Sequence, residues 1–482
     1  MLPDEGRYVG VAWEMLRSGD WLTPTLNGLP YFHKPPLFYW ITAASLWLFG
    51  HHEWAGRVAS LLGAALGSTA LYAFIRRWSG AHAARAGLVV LLAQPLWFLA
   101  AQFANLDMLV AGCISATIVL LAHAVLLADH GKPWRAVLTS AWAMAALGVL
   151  AKGLIGFVLP AAVIFVWLVL QKRWRSLFTL LWWPGVLVFL VLTAPWFVAM
   201  QDRFPDFLNY FFVVQHFKRF TESGFNNAMP FWFYAAALCA CFLPWLLWMV
   251  RALKTRIGLS EPQQAIRLLM WVWPAIIVLF FSLPKSKLLG YVLPAVPPLA
   301  FLAAEGFLAH ALLSRTSTRL WWLAAGIGCA LALGIVGWLS VHPEHSTQAF
   351  AQVLRNTRQA PEPVVMLEKY FFDLPFYARL DNPVTVIAHW DDPDLRQHDS
   401  QRKELADAGQ FDQAAAAKLL VLPAALPALL CRSATSWVLG PSSAVTRYPF
   451  LGLATDVHQE SGTTLWRIDT TKPAMLSALA CR

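Results

Sequence analysis

Charge is what this chain has least of. Only 13% of its 482 residues are Asp, Glu, Lys or Arg, about half the share in an ordinary soluble domain, while 58% are apolar and the mean hydropathy is +0.53. A soluble enzyme is excluded. Acidic residues are the scarcer sign, and 37 Lys plus Arg against 27 Asp plus Glu leaves 37 − 27 = +10. In a chain that crosses a bilayer repeatedly, such an excess reports loop orientation and anionic lipid, not nucleic acid. Cysteine is also scarce. Cys113, Cys239, Cys241 and Cys329 lie in apolar runs as small hydrophobes and suggest no metal site. Cys431 and Cys481 lie in the polar tail, where a disulfide and two separate thiols both fit the sequence. Internal repeats and low-complexity linkers are missing.

Apolar runs near 54–75, 83–102, 108–128, 136–151, 154–170, 177–200, 230–250, 268–283, 288–312 and 320–340 approach the roughly 20 residues that a helical crossing needs. Alternate loops differ in positive charge. One set carries Arg76, Arg77, Arg85, Lys132, Arg135, Lys172, Arg173, Arg175, Arg251, Lys254, Arg256, Arg267, Arg315 and Arg319; the other has only Lys152, Arg203, Lys218, Arg219, Lys285 and Lys287. The richer set belongs in the cytoplasm. Residues 1–53, the loops near 103–107 and 201–229, and everything after 340 then face outward. The run 36–50 would reverse that parity as a crossing. With Tyr39, Trp40 and Trp47 at headgroup level and Pro35-Pro36 at its start, it reads as an interfacial or re-entrant helix. The fold expected is a polytopic α-helical membrane protein, with residues 1–340 as a transmembrane catalytic domain that includes an outer first loop, 1–53. Beyond 341 the apolar runs end. Segments 363–367 and 383–387 read as buried strands and 346–358 and 402–418 as helices, so residues 341–482 form a soluble α/β domain.

The candidate chemistry gathers on the outer side. The first loop holds Asp4, Glu5, Arg7 and Tyr8 and, after a turn-rich stretch, Tyr31, His33 and Lys34. Asp107 is the only charge between Arg85 and Asp129, and an ionisable group at a span's end is costly without a partner or a function. The loop 201–229 adds His216, Lys218 and Arg219, and another outer helix end carries Lys285 and Lys287. Cations at that depth neutralise a phosphate, and a carboxylate beside them orients or deprotonates an acceptor. That constellation suits transfer from a lipid-linked phosphate. His51, His52 and Glu53 are weak evidence for a metal, and His389, Asp391, Asp392 and Asp394 read as a solvated turn.

The order of these motifs resembles a known family. Residues 3–40, Asn105-Leu106-Asp107-Met108, Gln215 to Phe220, Lys285-Ser286-Lys287-Leu288, Tyr291-Val292-Leu293-Pro294, Tyr370 and Leu374-Pro375-Phe376-Tyr377 are similar to the bacterial glycosyltransferases that include the 4-amino-4-deoxy-L-arabinose transferases of lipid A, related to protein O-mannosyltransferases. The resemblance implies a GT-C-type fold in the inner membrane and an active site facing the periplasm. It also implies a polyprenyl-phosphate-linked sugar as donor and a lipid A-type glycolipid or a protein as acceptor. It places Asp4 and Asp107 as the catalytic carboxylates and Lys34 and Arg219 as donor-phosphate ligands. Glu5, Arg7, Tyr8, Tyr31, His33, His216, Lys218, Lys285, Lys287 and Tyr291 are expected to bind substrate. No cofactor is certain from the sequence; related enzymes can bind a divalent cation, which stays open here because no ligands for one can be placed.

Two departures bear on this. His33 stands where many relatives have Glu, which leaves the sugar and the acceptor open, and it also fits a neutral loop residue packed on Tyr31. Relatives begin with a transmembrane helix before Asp-Glu, whereas Met1-Leu2-Pro3 stands here. The expectation is that the natural reading frame extends upstream by roughly 20 apolar residues. Two other classes compete with transfer. A lipid or polysaccharide transporter would need polar groups along a path through the spans, yet Glu305 is the main intramembrane exception. A membrane-anchored binding protein would leave the first loop dispensable.

Overall fold

In the computed structural model, residues 1, 3–218, 228–254, 259–311, 315–342, 346–359, 361–396 and 400–481 are described. They divide into two compact units. One combines Met1–Phe32 with the C-terminal segment from residue 346 onward, and the other holds the helices from His33 to His342.

The helical unit has six helices, among the described residues, that are long and apolar enough to cross a membrane: Val58–Trp78, Leu106–Asp129, Trp183–Arg203, Glu261–Ser282, Leu289–Ala309 and Arg315–Val341. Two further apolar stretches are sharply bent helix pairs. Ala81–Ala93 turns by 67° into Pro95–Ala101, and Phe233–Cys241 turns by 69° into Leu243–Leu253. The breaks fall at Pro95 and Pro244, whose rings cannot continue the preceding helical hydrogen bonds. Leu37–Phe49 is a helix of 13 residues, about 20 Å long and too short to span the hydrocarbon core. Arg135–Lys152 and Ile155–Leu170 complete the layer around Leu106–Asp129, which shares with Leu289–Ala309 the deepest burial among the long helices.

Apolar lipid tails do not drive such helices together, so contacts depend on close backbone approach through small residues. A Cβ on Gly112 would collide with the Gly63 carbonyl oxygen, and one on Gly156 with the Gly148 backbone. Those two glycine pairs lock Leu106–Asp129 against Val58–Trp78, and Arg135–Lys152 against Ile155–Leu170. Glu305, the intramembrane carboxylate, has a partner charge: its Oε2 lies 3.3 Å from Arg267 Nε.

The other unit is built on a six-stranded sheet in the order β5-β4-β3-β6-β8-β7. Its strands are β3 (Val364–Leu367), β4 (Thr385–Ile387), β5 (Leu420–Val421), β6 (Thr435–Pro441), β7 (Thr455–Glu460) and β8 (Thr463–Asp469). β5, β4, β3 and β6 pair in parallel, β8 adds antiparallel to β6, and β7 adds antiparallel to β8. All four residues of β3 are buried, as a central parallel strand requires. Val365, Leu367, Ile387, Val438, Trp466 and Ile468 form the core with Leu426, Leu430, Met475 and Leu479. A disulfide joins Cys431 to Cys481, Cα to Cα 5.5 Å, and ties the ends of two of those core helices.

Two sequence expectations need correction here. The stretch 402–418 is two helices, Gln401–Gly409 and Gln413–Leu419, because Asp412 caps the second through its side chain on Ala415 N. The N-terminal segment is not a loop: Pro3–Ser18 is helical, with Asp4 and Glu5 in its first turn and Val9, Val11, Ala12 and Met15 buried. It leads into a tight hairpin, β1 (Thr25–Leu26) and β2 (Leu29–Pro30), turned by Asn27 and Gly28 at φ 53° and 73°. Glu14 stitches helix to turn, accepting from Thr25 Oγ1, Asn27 N and Gly28 N.

Candidate active site

In the helical unit the site grows from a helix start. Asn105 caps Leu106–Asp129: its Oδ1 accepts from Met108 N at 2.8 Å while its Nδ2 donates to Ala100 O and Phe103 O. Ser60 Oγ donates to its carbonyl oxygen and accepts from its amide, 3.0 Å each. This cap fixes Asp107 in the first turn, where the helix dipole favours a carboxylate. Arg135–Lys152 ends at Gly153, at φ 102°, and its last residue, Lys152, forms an ion pair with Asp107.

Tyr291, on the 3₁₀ turn Leu289–Ala295, places its ring 4.3 Å from Lys152 Nζ. Gly290 admits that approach, since a Cβ there would lie 2.7 Å from Asp107 Oδ2. A carboxylate, an ammonium and an aromatic face thus meet at one helix end.

Lys287 is buried and donates to Met229 O at 3.0 Å and to Pro284 O. Burial pushes its ammonium below the usual lysine value. Both acceptors are backbone carbonyls, so this lysine fixes the turn before Tyr291. Lys285 is exposed. His33 is buried, its ring 6.1 Å from that of Tyr210, and Lys34 is half-buried. Arg219 lies outside the described residues, as do the side chains of His216 and Lys218.

In the other unit, Arg7 is the centre. Its guanidinium forms an ion pair with Glu404, lies 3.0 Å from Asp4 Oδ1 and donates to Tyr8 OH at 3.2 Å. Burial opposes the Arg7 charge, but Tyr8, Glu404, Tyr31 and Asp4 outweigh it and hold the group protonated. Tyr31 OH donates to Glu404 Oε2 at 3.1 Å, and Glu5 is fully buried. Asp4 alone of this set points outward, its side chain 68% exposed.

Lys152 and Glu404 are the two members that sequence reasoning missed as site residues. A signal existed for Lys152, a lone cation ending an apolar run before a glycine, the counterpart of Asp107. None existed for Glu404, one acid in an ordinary amphipathic helix. For a divalent cation the donor set does not fit: among the described residues no three His, Cys, Asp or Glu converge, and Asp107 faces an ammonium.

Residues 33–198 match the family model described as dolichyl-phosphate-mannose-protein mannosyltransferase. Two similar proteins, from Pectobacterium carotovorum and Erwinia tasmaniensis, are both named undecaprenyl phosphate-alpha-4-amino-4-deoxy-L-arabinose arabinosyl transferase. The first is 33% identical over 69% of this chain and 60% of its own length, the second 32% over 73% and 64%. The chain thus spans less than two thirds of these curated relatives. The crystal structure of ArnT from Cupriavidus metallidurans bound to undecaprenyl phosphate superposes with a TM-score of 0.82 at 25% identity, covering 96% of this chain and 93% of that one. The archaeal oligosaccharyltransferase of Archaeoglobus fulgidus shares the fold at a TM-score of 0.54 and 13% identity, over 100% of this chain and 73% of its own. By fold over nearly its whole length this multi-pass membrane protein has the GT-C-type architecture, and by sequence it is similar to the aminoarabinose transferases and, over residues 33–198, to the protein mannosyltransferase family model.

Proposed function

We propose that the chain is an inner-membrane glycosyltransferase that moves a sugar, of the aminoarabinose type, from a polyprenyl-phosphate donor to lipid A or a similar envelope glycolipid. The observation that carries this is the Asp107–Lys152–Tyr291 cluster at a capped helix start, inside a chain whose relatives are named for such a transfer. In the reaction the bond between the anomeric carbon and the phosphate oxygen breaks, and its electron pair stays on the polyprenyl phosphate. The acceptor oxygen closes the new bond from the opposite face, with inversion. Fixed cations lower that barrier because negative charge grows on the leaving phosphate. Lys34 and Arg219 take that role. Asp4 and Asp107 bind the sugar or the acceptor. A phosphate acceptor is already ionised, so neither needs to act as a strong base.

The periplasmic orientation rests on the positive-inside count and on the Cys431–Cys481 disulfide, a bond that persists in an oxidising compartment. The domain arrangement proposed keeps residues 1–340 as the catalytic part and 341–482 as a periplasmic α/β part, with Met1–Phe32 of the catalytic part belonging to the same compact unit as the C-terminal segment. The family description names protein mannosyl transfer, which supports a protein acceptor as the second reading. Mass spectrometry of envelope lipids and glycoproteins, with and without this chain, separates them. A mass increment on lipid A that requires the chain supports the first; one on glycoproteins alone supports the second; no change in either overturns both.

A further inference from the structure

The helical unit holds a second feature, apart from the Asp107–Lys152–Tyr291 cluster, that the transfer does not use. A half-open cavity of about 230 Å³ lies between Leu106–Asp129, Arg135–Lys152, Ile155–Leu170 and the short helix Trp174–Leu180. Its walls are almost wholly apolar. Trp142 forms one side, stacked on Phe157 and donating its indole N–H to Leu180 O at 3.1 Å, while Phe165 and Leu181 are exposed at the rim. Dry apolar cavities of roughly 150 Å³ already admit a benzene-sized molecule, so this one has room for several methylenes.

Cations crowd the chain segments that adjoin the cavity-lining helices. The segments 129–135 and 171–183 carry Lys132, Arg135, Lys172, Arg173 and Arg175 against Asp129 alone, 5 − 1 = +4. Asp129 is taken up by Arg173. Arg135 lies over the Trp182 ring at 5.0 Å, next to the cavity residue Leu181. Lys132, Lys172 and Arg175 are exposed and enter no ion pair among the described residues. The cations stand toward the Asp129 end of Leu106–Asp129, about 33 Å from Asp107, and the cavity's Thr117 and Leu121 lie near the middle of that helix.

We infer that the cavity holds one acyl chain of an anionic glycerophospholipid, with the lipid phosphate held among Lys132, Arg135, Lys172 and Arg175. An apolar slot fits any acyl chain; the four-charge excess on the segments adjoining its helices selects an anionic headgroup. A polyprenyl phosphate is a poor occupant, because the proposed transfer places its phosphate at the opposite helix end. The leaflet, cytoplasmic, rests on the orientation proposed above; the lipid site itself does not.

Native mass spectrometry of the purified full chain tests this without reference to transfer. The probes are phosphatidylglycerol, phosphatidylcholine and undecaprenyl phosphate, each added at equal concentration. Phosphatidylglycerol adducts are expected to dominate over phosphatidylcholine. Arg135→Gln with Arg175→Gln should weaken that preference about fivefold per arginine while phosphatidylcholine retention stays level. Ala161→Phe, which fills the slot, should lower retention of both phospholipids. Equal retention of the two phospholipids by the unaltered chain, an unchanged preference in the arginine pair, or displacement of phosphatidylglycerol by undecaprenyl phosphate would each overturn the inference. Should Ala161→Phe fail to fold, the arginine pair decides alone.

Discussion

The Lys152 ammonium meets the Asp107 carboxylate where the C-terminal end of one buried helix reaches the N-terminal end of another. Each charge sits at the helix end that its sign favours, so the pair is set by the packing of the two helices rather than by a loop. Lys152→Met should therefore leave an uncompensated carboxylate and lower turnover by roughly 10²–10³-fold, with donor affinity within about threefold. Asp107→Asn should do the same. The double variant should cost less than the sum of the two, as a shared interaction requires. Steady-state kinetics with a donor-binding isotherm for each variant would show it, and strict additivity would refute the coupling.

Lys34→Ala and Arg219→Ala should each abolish most transfer while the protein still inserts at normal level, since an unneutralised leaving phosphate raises the barrier by several kcal/mol. Transfer assays in membranes with matched expression check this. Near-normal turnover in either variant removes that residue from the donor-phosphate role.

Arg7 and Glu404 lie 397 residues apart in sequence yet share one largely buried ion pair. Removing either partner strands the other charge, at a cost of about 3–5 kcal/mol. Glu404→Ala is expected to melt well below the unaltered chain and to expose residues 1–32 to protease. Asp4→Asn, whose carboxylate is mostly in solvent, should leave the melting temperature within about 1 °C and act on turnover alone. A similar melting loss in both would mean that Asp4 is structural.

Glu14 supplies a pH dependence. Burial raises its carboxyl above the usual range, opposed by the hydrogen bonds from Gly28, Thr25 and Asn27. A raised acid binds its proton more tightly in the folded state, so its stabilising contribution is complete below the usual carboxylate range and declines as pH rises through the folded value. In Glu14→Gln that slope should flatten. The variant should also lose about 1–3 kcal/mol at low pH from a donor left unsatisfied in the turn. Melting curves between pH 4 and pH 8 test both; an unchanged slope would show that Glu14 does not titrate there.

The sequence made the membrane plan legible because span length and loop charge are one-dimensional quantities. Asp107 could be found as a lone charge in a long apolar stretch, and the strands around 363–367 and 383–387 by their buried runs. Lys152 was visible only as another outer cation, since nothing in a linear reading shows that two helix ends meet. Pro3–Ser18 carried helix-start signals, proline followed by Asp-Glu, but its polarity beside so many apolar runs made it read as a loop. β6, β7 and β8 left no alternation strong enough to be read, because β6 is buried on both faces and β7 is mostly exposed.

Asn27 hydrogen-bonds Val384 through both its amide atoms, at 2.8 Å each, across 357 residues of chain. The ribosome therefore finishes the first hairpin long before the segment that completes it exists, and in the interval the helices between residues 33 and 342 must be inserted. Such a long-range closure is slow in proportion to the loop it must bring together, and it makes the last step of folding a joining of the chain's two ends rather than the packing of its spans. Variants that speed insertion should leave maturation time unchanged, whereas those that loosen the Asn27 turn should lengthen it.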